Sequence, residues 1–311
     1  MDFSVLIRTF NAERYLKEAI DSILNQTCSC NIEVIILYDE GSTDRTWNII
    51  EDIKKKTILP PNISLKVVRH THMTPLRATQ LGLKEAKGNY VTFLDYDNIY
   101  PPDYLEKIYK AINEHKDSTF IFSKAIVIDE NKNILHELGN MPNNPYDINQ
   151  IIVANYIDAN TIIIEKSCKE KIVELLDKLK HTYFDWVHED WLIATLGLKF
   201  CKPLFVNSAY IYYRVHESNL TFSRRIGTDP KSLFYVEREI KTLVTMLYIL
   251  DDRKLNYKIL RALVARYITI IRLTSEIAGV SLMTTLLLGL RHVIGYINVI
   301  KIFKKLTRVD K

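Results

Sequence analysis

The chain has 311 residues, of which 47% are hydrophobic and 25% charged, so it is long enough for a large core and its composition excludes a disordered chain. Its net charge of +5 is unevenly placed: residues 224–311 carry 17 Lys and Arg against 7 Asp and Glu, a net of +10, whereas residues 1–223 carry 25 against 30, a net of −5. An acidic body with a basic tail implies two functional regions, the second directed at an anionic partner.

Cys28, Cys30, Cys168 and Cys201 have no zinc-site spacing and are expected to be reduced thiols of a cytosolic protein. Asp2 and Arg8 interrupt any apolar start, so no signal peptide is expected.

Taken in chain order, residues 3–7 form a continuous apolar strand signal, and Tyr15, Leu16, Ala19, Ile20, Ile23 and Leu24 then fall at helical spacing. A strand is expected at 33–37, a helix around Trp47, Ile49, Ile50 and Ile53, a strand at 64–68, a helix over roughly 75–86 stopped by Gly88, and a strand at 90–94. Uninterrupted apolar strands alternating with helices define an α/β chain whose mostly parallel sheet is covered on both faces. Ligands of such sheets bind beyond the carboxyl ends of the strands, which puts the segments after Ile7, Leu37, Val68 and Leu94 on one rim. Residues 119–128 and 133–135 flank a hairpin signal, 141–145 is a Pro- and Asn-rich loop, 159–164 a buried strand, 166–179 a helix and 209–213 a last strand. From about Pro230 the pattern is helical.

The rim segments carry the chemistry. Residues 8–13 read alone as a helix entry with Asn11 as N-cap. In Tyr38-Asp39-Glu40-Gly41-Ser42-Thr43-Asp44, Ser42 or Thr43 suffices to cap the next helix, and the carboxylates exceed what capping needs. Asp39, at a strand end, suits the hydrogen bonds of a base or ribose. Arg77 and Gln80 occupy the third segment, where an Arg can face a base or its phosphates. In the fourth, Asp95 and Asp97 stand two residues apart in a tight turn, so both can approach one Mg²⁺ or Mn²⁺ that completes its shell with phosphate oxygens.

In combination these segments resemble the inverting nucleotide-sugar glycosyltransferases of family 2, which have the GT-A fold. The resemblance covers most of residues 3–105 in the family's order. It comprises the entry turn Arg8-Thr9-Phe10-Asn11, the Ser22-x-x-x-Gln26-Thr27 helix end and Asp39-Glu40-Gly41-Ser42-Thr43-Asp44-Arg45-Thr46. It continues with Arg77-Ala78-Thr79-Gln80-Leu81-Gly82 and the run from Ala86 to Asp97. Further on, Glu189-Asp190-Trp191 is similar to the family's Glu-Asp pair at the head of a helix, and Tyr213-Arg214-Val215-His216 to its Tyr-Arg-x-His segment. The chain departs from the pattern at Arg8, Gln80 and Asn98, where Pro, Asn and a third Asp are commoner.

The resemblance implies a GT-A catalytic domain over residues 1–223 and a UDP-sugar donor bound by Thr9, Phe10, Glu13, Asp39, Arg77 and Asp95. It implies a Mn²⁺ or Mg²⁺ ion held by Asp97, with His216 as a second ligand. Asp190 is the implied base, taking the acceptor proton in a single inverting displacement. A bland alternative for Glu189 and Asp190 is charge favourable to a helix dipole, and for His216 a satisfied core histidine. No Gln-x-x-Arg-Trp motif is present, so one sugar is expected per encounter. Arg224 and Arg225 are candidates for a lid over the diphosphate.

Residues 277–290 are uncharged but span 14 positions, short of the roughly 20 needed to cross a bilayer. Beyond them Arg291, Lys301, Lys304, Lys305 and Arg308 interleave with Ile294, Ile297, Ile300 and Ile302. This fits a basic amphipathic helix on an anionic membrane surface and equally a helix packed in a homo-oligomer; both stay open. Aliphatic interleaving suits lipid better than bases, so no nucleic-acid partner is expected. The expected acceptor is a glycan or lipid-linked glycan, and the expected location the cytoplasm, peripheral at the inner membrane face if the tail binds lipid. Two competing functions are a GT-A-like module that binds without turnover and a nucleotidyltransferase. The latter wants a Gly-rich phosphate loop with a Lys that residues 9–11 lack.

Overall fold

A computed structural model describes residues 1–180, 182–217, 219 and 230–278. The chain divides into two compact units, one of 1–151, 155–179 and 189–216, the other of 152–154, 180–188 and 217 onward.

The first unit is built on an eight-stranded sheet. β1 (Phe3–Thr9), β2 (Ile32–Asp39), β3 (Ile63–His70) and β4 (Tyr90–Phe93) are parallel in the order β3-β2-β1-β4. Every residue of β2 is buried, as a strand covered on both faces requires. Val5 and Ile7 share a core with Leu16, Ile20 and Ile23 of α1 (Leu16–Leu24), Ile50 of α2 (Thr46–Lys56) and Ile108 of α4 (Tyr104–Glu114). α3 (Pro75–Glu85) packs on β1 and β2.

Beyond β4 the sheet changes direction. β7 (Ile162–Glu165) runs antiparallel to β4, and β5 (Phe120–Ile128) antiparallel to β7. The far end of β5 pairs with β6 (Ile134–Glu137), the hairpin expected from the sequence, and β5 pairs along its length in parallel with β8 (Pro203–Arg214). α5 (Ile148–Val153) is short; α6 (Lys166–Leu176) and α7 (Glu189–Phe200) pack on one another. The strand expected from residue 159 begins only at Ile162, because Ala159–Thr161 forms a 3-10 turn whose entry Asp158 accepts from the Asn160 amide.

In the second unit α8 (Pro230–Leu250) and α9 (Arg253–Ala278) pack together, joined by Asp251-Asp252. Asp252 caps α9 by accepting from the amides of Lys254 and Leu255. Among the described residues no helix is long and apolar enough to cross a membrane. Arg224 and Arg225, the uncharged stretch at 279–290 and the basic residues 291–308 lie outside the described residues.

The expectation of reduced thiols is corrected. Cys28 is joined to Cys30, and Cys168 to Cys201 with Cα atoms 5.7 Å apart. Cys168 is on α6 and Cys201 just follows α7, so the packing of two helices, invisible in the spacing, sets this pair.

Candidate active site

The reversal of strand order at β1, which has β2 on one side and β4 on the other, opens a crevice at the carboxyl ends of β1 and β4. The entry turn and the Asp39–Thr46 loop that line it are fastened to each other. Asn11, at φ 50°, accepts from the Thr43 amide, and Asp44 accepts from the amides of Glu13 and Thr46. Asn11 therefore ties two loops rather than capping α1, and Asp44, not Ser42 or Thr43, serves the first turn of α2. Asn tolerates the left-handed conformation that this tie needs.

Several residues expected at the donor are turned into this framework. Thr9 donates its hydroxyl to the Leu37 carbonyl, and Glu13 accepts from the Arg45 amide. Arg77 donates to Gln80 and to the Leu179 carbonyl, joining α3 to the end of the α6 segment. A second cluster forms the corner after β2. Asp39 is buried, accepts from the Gly41 amide at 2.8 Å and meets Nδ1 of His72 at 2.8 Å. Phe10, 43% exposed, packs its ring 4.9 Å from that of His72. A Cβ on Gly41 would lie 3.1 Å from the Asp39 carboxylate and 3.2 Å from His72, so this residue keeps the corner open.

On the other side of the crevice the Asp95–Asp97 turn is clamped. Arg8 donates through Nε and Nη2 to Oδ1 of Asp95, at 3.2 and 2.7 Å, and Asn160 accepts from the Asp95 amide. Arg214, fully buried, donates its Nε to the Asp97 carbonyl and its amide to the Asn98 side chain. Asn98 is itself buried, its side-chain oxygen accepting from that amide. Arg214 also pairs with Glu18 of α1 and lies over the Tyr15 ring.

These clamps bring Asp97 and His216 together, Nε2 to Oδ2 at 3.0 Å. His216 packs its ring on Tyr15, and both members of the pair are nearly covered, at 12% and 2% side-chain exposure. Burial pushes the Asp97 carboxyl up from its ordinary value, opposed by the His216 hydrogen bond. Asp158, hemmed in beside this turn, has its carboxyl pushed up to about 6 by burial, opposed by hydrogen bonds from Asn160. Among the described residues no group of three or more His, Cys, Asp or Glu gathers as a metal site. One carboxylate and one imidazole fit a divalent ion that takes its remaining ligands from phosphate oxygens and water.

The Glu189-Asp190 pair opens α7, as expected from the sequence. Glu189 is buried and accepts from Nη1 of Arg8 at 2.6 Å, while Asp190 accepts from Asn155 at 2.9 Å. Burial opposes the charge of Arg8, but Asp95 and Glu189 outweigh it and hold its pKa above the ordinary value. Sequence reading did not single out His72, Asn155, Asn160 or the clamping role of Arg214. Arg8 was noted as part of the entry turn and as a departure from the family pattern, without a partner.

A crevice at the carboxyl ends of a mostly parallel sheet of this topology defines a GT-A-type α/β protein, and comparison with known proteins agrees. The chain is similar to TarS of Staphylococcus aureus, whose residues 1–349 are solved in complex with UDP-GlcNAc, with TM-score 0.56 and 20% identity over 90% of this chain and 74% of that one. It is also similar to the mannosyltransferase PcManGT of Pyrobaculum calidifontis, in complex with GDP-Man and Mn²⁺, with TM-score 0.59 and 14% identity over 96% and 83%. Residues 4–170 match the family described as glycosyl transferase family 2, and the chain belongs to that family. The minor teichoic acid biosynthesis protein GgaB of Bacillus subtilis (strain 168) is 30% identical over 220 residues, 70% of this chain; the match spans 23% of GgaB's own length.

Proposed function

We propose that the protein transfers a sugar from a UDP-sugar to a hydroxyl of a glycan or lipid-linked glycan, with inversion and one sugar at a time. The observation that carries this is the separation of two carboxylate sites. Asp97 is engaged with His216 at the end of β4, while Asp190 is engaged with Asn155 at the head of α7. Similarity to a UDP-GlcNAc-binding transferase supports UDP as the donor nucleotide.

In this reading Asp39 accepts from the base, held in place by the Gly41 amide and His72, and Phe10 gives the base an apolar edge. Asp95, fixed by Arg8 and Asn160, faces the ribose side. Asp97 and His216 would hold a Mn²⁺ or Mg²⁺ ion, which when bound neutralises charge on the departing diphosphate. Asp190, oriented by Asn155, takes the proton from the acceptor hydroxyl while the hydroxyl oxygen bonds to the anomeric carbon. The bond from that carbon to the diphosphate oxygen breaks on the opposite face, and UDP leaves. The sugar hydroxyl is a weak acid, so the proton moves late, in the transition state.

A second feature bears on where the acceptor is carried: the surface of α9. Its exposed side presents Tyr257, Leu260, Val264 and Ile268 beside Arg253, Lys254, Lys258 and Arg261, with no acidic residue among them. Apolar groups flanked by cations suit an anionic bilayer surface, with a homo-oligomer contact as the competing occupant. The test of the transfer reaction is UDP release from UDP-GlcNAc with Mn²⁺, followed by proton NMR of the sugar anomer. The wild type should release UDP and give the inverted anomer, and Asp190→Asn should lose about 100-fold or more in rate. A retained anomer, or an Asp190→Asn variant as fast as the wild type, would remove Asp190 from this role.

A further inference from the structure

We infer that Arg8 is a positioning residue that fixes the head of α7, and with it Asp190, to the donor rim; the inference rests on Asp190 being the base. One guanidinium gathers acceptors from three distant parts of the chain. Nε and Nη2 donate to Asp95, while Nη1 donates to Glu189 at 2.6 Å and to Thr79 of α3 at 3.0 Å. Its side chain is 17% exposed and that of Glu189 11%, so neither is a solvated surface charge.

The consequence follows from chain geometry. Glu189 and Asp190 are consecutive in the first turn of α7, so whatever holds Glu189 also sets where the Asp190 backbone sits. Asp95 is held from its other side by Asn160, which leaves it a fixed post on the donor strand end. Arg8 thus joins a fixed donor-side carboxylate to the residue preceding the base. The contact requires a planar fork. Lys has the charge but is a point donor on a flexible stem, and cannot hold Asp95, Thr79 and Glu189 in fixed directions at once. A proline, the commoner residue at this position, could make none of these contacts.

The reading separates from a merely structural ion pair because donor binding and base placement are different measurements. In Arg8→Lys, calorimetric UDP affinity with Mn²⁺ and KM for UDP-GlcNAc should stay within about threefold of the wild type. The rate of UDP release should fall about 100-fold, as a small misplacement of a catalytic group can cause. Amide exchange over residues 189–193 should quicken about tenfold, with the rest of the first unit unchanged. Should Arg8→Lys not fold, Glu189→Ala, which removes the other end of the contact, carries the same expected split. An Arg8→Lys protein with unchanged release and unchanged exchange would overturn the inference, as would a raised KM with an unchanged release rate. A wild type that binds no UDP overturns the transferase reading itself. A wild type that binds UDP without releasing it leaves the exchange result to decide.

Discussion

Nε2 of His216 lies 3.0 Å from Oδ2 of Asp97, although 119 positions separate them in the chain. The contact joins the turn after β4 to the end of β8, and Arg214, two residues before His216, anchors the same turn by its Asp97 carbonyl and its Asn98 side chain. The proposed ion site is therefore a product of how β8 is threaded, and its two ligands should act together. Replacing His216 by Ala should weaken Mn²⁺-dependent UDP binding by about 10–100-fold while leaving metal-free binding unchanged. Manganese titrations at fixed UDP check this, and equal metal dependence in the two proteins would release His216 from the role.

Asp158 makes a prediction for pH. Its folded carboxyl titrates at about 6 against an ordinary 3.8, so between these values the folded chain binds more protons than the unfolded one. This contribution to stability is present at low pH and lost as pH rises through 6. Between pH 5 and 7 the loss is about 1 kcal/mol. Asp158→Asn keeps an acceptor oxygen for Asn160 but cannot titrate, so it should show a flatter stability between pH 5 and 7. Urea unfolding at the two pH values measures the difference, and parallel slopes in the two proteins would contradict it.

Gly197 tests the packing of α7, the helix that opens with Glu189 and Asp190. A Cβ there would lie 2.3 Å from the ring of Phe120 at the start of β5. Gly197→Ala should lower stability by about 1–3 kcal/mol, since overpacking outweighs any gain in helix propensity. A melting temperature equal to or above that of the wild type would show that Phe120 can move aside.

The exposed side of α9 predicts selective lipid binding. Vesicles containing phosphatidylglycerol should carry the protein in flotation, pure phosphatidylcholine vesicles should not, and about 0.5 M salt should release it. Lys254→Glu with Lys258→Glu should weaken flotation without affecting UDP binding. A protein that ignores anionic vesicles and sediments as a dimer assigns this face to a second copy instead.

Much of this organisation was legible in the sequence, for reasons that differ by element. β1, α3, β4 and β5 lie close to where apolar runs and helical spacing place them, because burial on both faces leaves a continuous pattern. The antiparallel β7 was read as a strand but not by direction, which depends on its neighbours, and the 3-10 turn before it was taken for part of the strand. The roles proposed for Asp97, His216 and the head of α7 were reached through the family resemblance rather than through spacing alone. Thr9 and Glu13 lie in a motif segment yet serve its internal bonds, a distinction that depends on side-chain direction. Arg8, His72, Asn155 and Asn160 gain their roles from partners 181, 33, 35 and 65 positions away, which no local pattern encodes.

The most direct test of the central claim is calorimetric titration of UDP, GDP and dTDP into the wild type and Asp97→Ala, each with and without Mn²⁺. The account predicts that UDP binds most tightly, that Mn²⁺ strengthens its binding, and that this strengthening disappears in Asp97→Ala. Binding of no nucleotide in the presence of Mn²⁺, or an Asp97→Ala protein with the metal dependence of the wild type, would contradict it.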